Sequence, residues 1–401
     1  MPGSGRLRAA LLALGCRETW TLSPRILRAL LKAFRTSRPA TAATGTILHV
    51  NCPPLGSPGF RRYLRGLRRL AGGEYVPLAV HVAVTGRCIN CCARCSNVAR
   101  ACPDPALETL TRMLAGLRDA GTASVALTGG EPLLREDLAR LVAACAPDMA
   151  PLLFTAGHGL DLARARSLRA AGLVAAFVSL DYFRAEEHDR VRGRSGAFDE
   201  SLRAIAAFLE AGVYTAAQAV VDEALLADGA LEQFLGFCRG LNVHEIMLLT
   251  PVPVGPADVC RACEPTEHEH LVRLQLRSVA EPLGPKVTAS SWLESPECFG
   301  CQAGYGFLYV SAAGDVFPCD FVPVSFGNVF DSGWGPVLER LARCFPVPQQ
   351  SCMALDLRAS LRRTQLPVPW EEAEALLARR PRSGLPGLSQ WIAPGTKGPR
   401  R

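Results

Sequence analysis

The sequence lacks any run of about 18 consecutive apolar residues, although 49% of its 401 residues are hydrophobic. A helix that crosses a bilayer needs about 20 such residues, so the pattern predicts no membrane-spanning segment. The chain also lacks the apolar segment and small-residue cleavage site of a secretory signal peptide. We therefore expect the protein to work in the cytoplasm.

Acidic residues are scarce in residues 1–75, which hold thirteen Arg or Lys residues but only Glu18 and Glu74. This excess of eleven positive charges is larger than the +7 of the whole chain, so the remaining residues are acidic on balance. Such a region can favour nucleic acid or an anionic lipid surface. Because no set of stacking aromatic residues accompanies the charge, we expect no DNA partner and favour a solvated arginine-rich face over contact with a membrane surface.

Cysteine, in contrast, is abundant, but its sixteen residues are not spread like the disulfide framework of a small secreted protein. Cys88, Cys92 and Cys95 form a C-x3-C-x2-C run, with Cys91 as a spare thiol inside it. Three thiolates on one loop can hold three irons of a [4Fe–4S] cluster and leave the fourth iron open. Zinc knuckles normally use repeated C-x2-C pairs, so the triple favours an iron–sulfur cluster over a zinc-binding or unliganded loop.

From residue 76 onward, strand-like segments alternate with helix-like segments. Strands are predicted at residues 78–84, 124–128, 151–156, 175–181, 215–221 and 244–250. Helices are predicted near residues 105–120, 136–146, 160–171, 198–211, 229–240 and 266–279. This order predicts an α/β fold with a parallel sheet and right-handed crossovers, as in a (β/α)6 partial TIM barrel. The site of such a barrel lies at the carboxyl ends of its strands, which is where the cysteine triple follows the first strand.

A basic helical extension is predicted before the barrel. Residues 5–38 have the pattern of two short basic amphipathic helices, with Ser23 as the N-cap of the second and Pro24 as its first residue. A helix of this kind can lie on a membrane, although it more often packs on its own barrel. Residues 36–47 have the composition of a linker, and residues 60–70 predict a third basic helix.

The cysteine triple resembles the signature of the radical SAM enzymes, and further segments lie where that family has its motifs. Gly129, Gly130 and Glu131 form a turn after the second predicted strand. Ser179 lies near the end of the fourth predicted strand, and Arg192 lies in the segment that follows it. One departure is that the third predicted strand ends in Thr-Ala-Gly, where relatives often carry Thr-Asn-Gly.

The resemblance implies a [4Fe–4S] cluster on Cys88, Cys92 and Cys95 that binds S-adenosylmethionine at its open iron. An electron from the cluster then gives methionine and a 5′-deoxyadenosyl radical, which abstracts a hydrogen from the substrate. The turn of Gly129, Gly130 and Glu131 suits the amino group of the methionine moiety. In the same way, Ser179 is expected at the ribose or the carboxylate and Arg192 at the carboxylate, while Asp181 can face substrate. His188 and Asp189 are expected to bond within their own loop.

A second group of cysteines lies downstream. Cys301, Gly314 and Cys319 match the C-x(9–15)-G-x4-C start of the SPASM and twitch extensions of the same family, around a predicted β-hairpin. The resemblance implies that Cys298, Cys301 and Cys319 hold an auxiliary [4Fe–4S] cluster, with Cys352, Cys344 or a substrate atom as the fourth ligand. Only two cysteines follow Cys319, too few for a second auxiliary cluster, which favours the shorter twitch form.

Four parts of the chain are thus predicted. They are a basic helical extension (1–75), a radical SAM core (76–285), an auxiliary-cluster module (286–360) and a tail (361–401) that is disordered from Arg379 onward. Cys260 and Cys263 form a single C-x2-C pair in the loop after the sixth strand, to which we assign no role.

The resulting hypothesis is a radical SAM enzyme that acts on a peptide or a small metabolite, in an oxidation or maturation step. Its partners would be that substrate and a reductant such as flavodoxin or ferredoxin. No cobalamin-binding segment is visible, which disfavours a methyltransferase. The alternative is a non-catalytic iron–sulfur or zinc scaffold that uses the basic N-terminal region as its binding face.

Overall fold

A computed structural model describes residues 4–96, 102–253, 261–281, 283–361 and 366–378. Eleven strands lie in these ranges: β1 (Ala40–Ala42), β2 (Gly45–Ile47), β3 (Ala79–Thr85), β4 (Ser124–Gly129), β5 (Ala150–Thr155), β6 (Ala175–Ser179), β7 (Tyr214–Val220), β8 (Glu245–Leu249), β9 (Lys286–Ala289), β10 (Phe307–Val310) and β11 (Val316–Phe317). The predicted tail from Arg379 and the thiol of Cys260 lie outside the described residues.

Nine of these strands form one sheet, in the order β11-β10-β3-β4-β5-β6-β7-β8-β9. Strands β3 to β9 are parallel to one another and follow chain order, as successive crossovers require. The six predicted strands correspond to β3 to β8. Strand β9 is a seventh parallel strand that the sequence analysis did not predict.

The described residues also contain fifteen α-helices. They are α1 (Ser4–Leu14), α2 (Pro24–Thr36), α3 (Pro58–Ala71), α4 (Leu107–Ala120), α5 (Leu138–Cys145), α6 (Leu162–Ala170), α7 (Ala185–Arg192), α8 (Ala197–Glu210), α9 (Glu223–Leu226), α10 (Ala230–Gly240), α11 (Pro265–Ala280), α12 (Ser290–Leu293), α13 (Trp334–Cys344), α14 (Met353–Leu361) and α15 (Trp370–Ala378). None of the helices in the described residues is long and apolar enough to cross a membrane.

Local sequence signals explain several of these boundaries. Ser23 caps α2 by accepting a hydrogen bond from the Ile26 amide at 3.4 Å, with Pro24 at the first position, as predicted. Ser57 caps α3 in the same way, at 3.1 Å from the Phe60 amide. Helices α2 and α3 each bury one apolar stripe against the rest of the chain.

The prediction of a linker at residues 36–47 is wrong. These residues form the β1–β2 hairpin, in which the hydroxyls of Thr41 and Thr46 lie 2.9 Å apart. Ile47, at the end of the hairpin, packs with Phe177 and other residues that line the inside of the sheet. The small and polar residues of this segment carry little periodicity, which is typical of a linker, whereas docking against the barrel orders it.

The predicted β-hairpin around Gly314 is present as β10 and β11, but it does not form a sheet of its own. Strand β10 pairs in parallel with β3, and β11 pairs antiparallel with β10. The segment that follows β11 therefore lies close to β3, the strand that leads into the cysteine triple. This placement brings the second group of cysteines to the barrel.

Candidate active site

The cysteine triple occupies the loop that follows β3. Cys88, Cys92 and Cys95 are partly exposed and Cys91 is exposed. The loop is held from the end of α7, since the Cys91 amide donates to the Arg192 carbonyl at 3.0 Å. A side chain at position 193 would collide with this loop, because a Cβ there would lie 2.6 Å from the Cys91 carbonyl oxygen, and Gly193 also has a φ of +64°. Glycine at that position lets the two segments meet.

Arg192 links the triple to the end of β6. One nitrogen of its guanidinium lies 3.9 Å from the Cys92 sulfur, and the other lies 2.7 Å from the Asp181 carboxylate. Burial acts to raise the pKa of Asp181, but the charges of Arg192 and Arg94 outweigh it and lower that pKa. The binding of the methionine carboxylate of S-adenosylmethionine by Arg192 stays a prediction, because Asp181 already occupies part of the guanidinium.

Asp189 bonds within its own segment, as predicted, whereas His188 bonds back to the residue pair after β6. The Asp189 carboxylate accepts hydrogen bonds from the amides of Gly196 and Phe198 at 2.6 and 2.8 Å. Nδ1 of His188 accepts from the Asp181 amide at 3.1 Å. The two residues thus hold α7, α8 and the end of β6 together behind Arg192.

The buried His188 predicts a loss of stability in acid. Its burial, with the charge of Arg192, lowers the pKa of the imidazole from 6.5 to about 4. The unfolded chain therefore binds this proton at higher pH than the folded protein does, so stability is complete above pH 6.5 and falls as pH drops toward 4. We expect His188 to account for up to about 3 kcal/mol of the free energy of unfolding lost between pH 7 and pH 4.

Urea unfolding of the wild type and of His188→Asn across this pH range tests the point. Asparagine keeps an acceptor for the Asp181 amide but does not titrate. The variant should therefore lose less stability on acidification than the wild type. Parallel losses in the two proteins would contradict the assignment.

The turn of Gly129, Gly130 and Glu131 lies directly beside the triple. The Gly130 amide donates to the Thr85 carbonyl at 2.9 Å, and the Glu131 amide donates to the Arg87 carbonyl at 2.8 Å. A Cβ on Gly130 would lie 1.9 Å from the Arg87 carbonyl oxygen. Only glycine allows the turn to approach the start of the cysteine loop so closely.

Gly130→Ala is therefore expected to lower the free energy of unfolding by about 1–3 kcal/mol, because backbone must move to admit the methyl group. We also expect it to weaken the binding of S-adenosylmethionine, which isothermal titration calorimetry measures. Gly236→Ala in α10 is the matched control, since a Cβ there meets nothing within 4 Å. Equal stability and affinity in the two variants would refute the role of this close approach.

The carboxylate of Glu131 is buried and engaged by protein donors. It accepts hydrogen bonds from the Thr155 hydroxyl at 2.5 Å, the Ala156 amide at 2.7 Å and the Leu133 amide at 3.0 Å. Burial raises the pKa of Glu131, although these donors oppose the shift. Both oxygens thus tie the turn to the end of β5, and the contact of Glu131 with an amino group stays a prediction.

Ser179 lies at the carboxyl end of β6, paired in register with Gln218 of β7. Oε1 of Gln218 is buried and has no hydrogen-bond partner within the described residues. A ligand with a donor would satisfy this acceptor. The sequence analysis missed Gln218, and the signal that could have found it is an amide side chain inside the otherwise apolar second half of β7.

A polar pair inside the barrel was also missed. Nδ1 of His81, on β3, lies 3.1 Å from the carboxylate of Asp320, the residue after Cys319. The His81 ring also contacts Phe154 and Phe307, at centroid distances of 5.1 and 4.6 Å. This pair joins the cysteine-bearing strand β3 to the second group of cysteines. A histidine at an inward-facing strand position was the sequence signal for it.

Three thiols of the second group share one region. Burial raises the pKa of Cys319, and the neighbouring Cys301 and Cys352 raise it further. Burial and Cys301 likewise raise the pKa of Cys352 to about 12. Backbone hydrogen bonds of 2.8 and 3.0 Å between Cys301 and Gln349 bring these segments together. The Cys298 side chain packs instead in an apolar cluster with Ala33 and Trp292, so its role as a ligand stays a prediction.

The donor types suit iron–sulfur clusters at both places, although the thiols are not closed into a coordination sphere. Across residues 4–96, 102–253, 261–281, 283–361 and 366–378, no three Cys, His, Asp or Glu side chains are arranged to hold a metal ion. Thiols are nevertheless the ligands that such clusters use, and Arg192 supplies a counter-charge at Cys92. Cluster ligation by the triple and by the second group of cysteines is therefore a proposal.

Comparison with known proteins agrees with this site. The model of the Radical SAM superfamily matches residues 82–229. AdoMet-dependent heme synthase of Methanosarcina barkeri is 28% identical over 55% of this chain and 69% of its own length. GTP 3′,8-cyclase of Acidothermus cellulolyticus is 32% identical over 53% of this chain and 63% of its own length, which is less than two thirds. PqqA peptide cyclase of Rhizobium meliloti is 28% identical over 63% of this chain and 71% of its own length.

Solved structures confirm the predicted fold. SuiB of Streptococcus suis superposes with a TM-score of 0.56 at 16% identity, over 71% of this chain and 72% of SuiB. At this identity the likeness concerns the fold alone. The family match, in contrast, spans the strands that carry the thiol triple and the Gly-Gly-Glu turn. Residues 82–229 therefore form a radical SAM domain.

Proposed function

We propose that the protein is a radical SAM enzyme whose Cys88, Cys92 and Cys95 hold a [4Fe–4S] cluster that binds S-adenosylmethionine. The observation that carries this proposal is that the triple follows the carboxyl end of β3, where the Gly130 and Glu131 amides at the end of β4 bond the carbonyls of Thr85 and Arg87, just before Cys88. When bound, the cluster would supply the one electron that splits S-adenosylmethionine into methionine and a 5′-deoxyadenosyl radical. The heme synthase and the two cyclases to which the chain is similar are named as enzymes.

The residues around the triple would bind and orient the cofactor. Backbone carbonyls of the glycine turn are suited to accept from an ammonium group, and Ser179 and Gln218 Oε1 offer polar contacts at two neighbouring strand ends. Arg192, paired with Asp181, keeps positive charge beside Cys92. Together these groups would hold the methionine and ribose moieties against the loop.

We further propose that Cys301, Cys319 and Cys352 hold an auxiliary [4Fe–4S] cluster. The backbone hydrogen bonds between Cys301 and Gln349 support this set, together with the effect of the three thiols on one another's pKa, and they favour Cys352 over Cys344. Cys298 or a substrate atom would complete the coordination. His81, on β3, pairs with Asp320, next to Cys319. This pair links β3 to the set of thiols and would face the substrate.

For the substrate we favour a peptide over a small metabolite, in an oxidation or bond-forming maturation step. The support is that PqqA peptide cyclase, which is similar over 63% of this chain, is named for a peptide substrate. A low-potential reductant such as flavodoxin or ferredoxin would supply the electron.

Anaerobically reconstituted protein, given S-adenosylmethionine and dithionite, tests the proposal. We expect methionine and 5′-deoxyadenosine in equal amounts, with neither formed when dithionite is omitted. Neither product with dithionite, together with no binding of S-adenosylmethionine, would overturn the enzyme proposal in favour of the scaffold.

A further inference from the structure

Exposed apolar side chains are concentrated on one part of the molecule. Nine large hydrophobic residues are exposed in the described residues, and five of them lie in or between α1 and α2: Leu7, Leu11, Leu14, Trp20 and Leu31. Two more, Leu276 and Leu283, lie on α11 and just beyond it. Only Leu355 and Leu366 lie elsewhere among the described residues. Scattered exposed leucines need no explanation, but a cluster of seven indicates a binding surface.

The leucines of α1 form a continuous strip. Leu7, Leu11 and Leu14 follow one another at spacings of four and three, which places them on one helix face, and they are 63%, 61% and 46% exposed. The opposite face packs on the protein through the buried Ala9 and Ala13. This orientation leaves the larger side chains, not the smaller ones, in solvent.

Trp20 extends the strip. Its indole Nε1 donates to the Leu14 carbonyl at 2.9 Å, so the ring lies beside the end of α1, and the residue is 70% exposed. An exposed indole that is fixed by a hydrogen bond presents a large amphipathic surface. Such side chains are enriched where proteins meet the boundary between lipid and water.

The end of α11 adjoins the same helices. The Arg6 guanidinium donates to the Val279 carbonyl at 3.0 Å, and Arg38 donates to the carbonyls of Glu281 and Leu283 at 2.5 and 3.3 Å. Leu283 is 83% exposed. The seven exposed apolar residues therefore belong to segments that contact one another.

The charge around this surface is strongly positive. Residues 1–38 contain eight Arg or Lys residues and one acidic residue, Glu18, which is buried. The nearby Glu281 is paired with Arg239 at 3.3 Å. A second copy of the chain would bring the same charge and be repelled, whereas an anionic surface would be attracted.

We propose that this surface, made of α1, Trp20, α2 and the end of α11, binds the face of an anionic lipid bilayer. Exposed Leu and Trp side chains would enter the headgroup region while the surrounding Arg and Lys side chains contact lipid phosphates. The inference uses no residue of the cysteine loops and is independent of the proposed function. The sequence alone favours a solvated basic face, because it does not show which leucines are exposed. The exposed leucines favour contact with a membrane surface instead.

Sedimentation of the full chain with vesicles tests the proposal. We expect the protein to bind phosphatidylcholine vesicles in which about a third of the lipid is phosphatidylglycerol, and to bind pure phosphatidylcholine at least about tenfold more weakly. Leu7→Gln/Leu11→Gln/Trp20→Gln should weaken binding to the anionic vesicles at least about tenfold. Leu355→Gln/Leu366→Gln is the matched control and should bind as the wild type does.

A second readout does not depend on the triple variant folding. Lipids brominated near the headgroup should quench part of the tryptophan fluorescence of the wild type, and Trp20→Phe should remove that part. Wild-type protein that stays in the supernatant with anionic vesicles would overturn the proposal. So would equal binding by the triple variant, or a dimer that the triple variant dissociates in the absence of any vesicle binding.

Discussion

Lys286→Met is expected to lower the free energy of unfolding by about 3–5 kcal/mol, because it would leave the charge of Glu245 buried without its partner. The Lys286 Nζ lies 3.1 Å from Glu245 Oε2, and the two side chains are 2% and 0% exposed. The Tyr214 hydroxyl also donates to Glu245 at 2.7 Å, and Lys286 donates to the Leu48 carbonyl at 3.0 Å. The pair thus joins the starts of β7, β8 and β9 to the segment after the β1–β2 hairpin.

Urea unfolding measures this effect, and the chain offers a matched surface pair. Arg239 and Glu281 lie 3.3 Å apart with side chains 50% and 47% exposed, so Arg239→Met should cost less than about 1 kcal/mol. The double variant Glu245→Gln/Lys286→Met should be more stable than Lys286→Met alone, since it removes the unpaired charge. A cost for Lys286→Met no larger than that for Arg239→Met would show that the buried pair does not stabilise the barrel.

Cys92→Ala is expected to abolish the cleavage of S-adenosylmethionine, whereas Cys91→Ala is expected to leave it intact. Both thiols lie on the same loop, but only Cys92 has the Arg192 guanidinium 3.9 Å from its sulfur, and Cys91 is exposed. The contact of Cys91 with α7 uses its backbone amide, which alanine retains. We expect a loss of more than about 100-fold in deoxyadenosine formation for Cys92→Ala, beyond what residues outside the coordination sphere cause.

The iron content of the two variants provides the control. Cys91→Ala should bind as much iron as the wild type, and a variant with Cys88, Cys92 and Cys95 all replaced by Ala should bind about four irons fewer per chain. Equal loss of activity in Cys91→Ala and Cys92→Ala would mean that the C-x3-C-x2-C spacing has been assigned to the wrong thiols.

The sequence predicted the barrel well because its strands and helices carry strong local patterns. Strands β3 to β8 begin and end within one or two residues of their predicted bounds, and Ser23 caps α2 as predicted. The cysteine triple and the glycine turn were found through spacing, which is also a local signal. Their backbone contact depends on register between β3 and β4, and periodicity does not reveal register.

What the sequence missed depends on contacts between distant residues. The β1–β2 hairpin is ordered by the barrel interior that Ile47 enters. Cys298 lies three residues from Cys301, yet its side chain packs with Ala33 of α2. The pair of His81 and Asp320 is separated by more than two hundred residues, and only the pairing of β10 with β3 brings it together. No local pattern encodes these neighbours.

Electron paramagnetic resonance of the reduced, reconstituted protein tests the central claim most directly. The account predicts two overlapping [4Fe–4S] signals, one of which shifts when S-adenosylmethionine is added. In the variant with Cys88, Cys92 and Cys95 replaced by Ala, only the signal that does not shift should remain. A wild-type spectrum that S-adenosylmethionine leaves unchanged would contradict the assignment of the triple as the site that binds it.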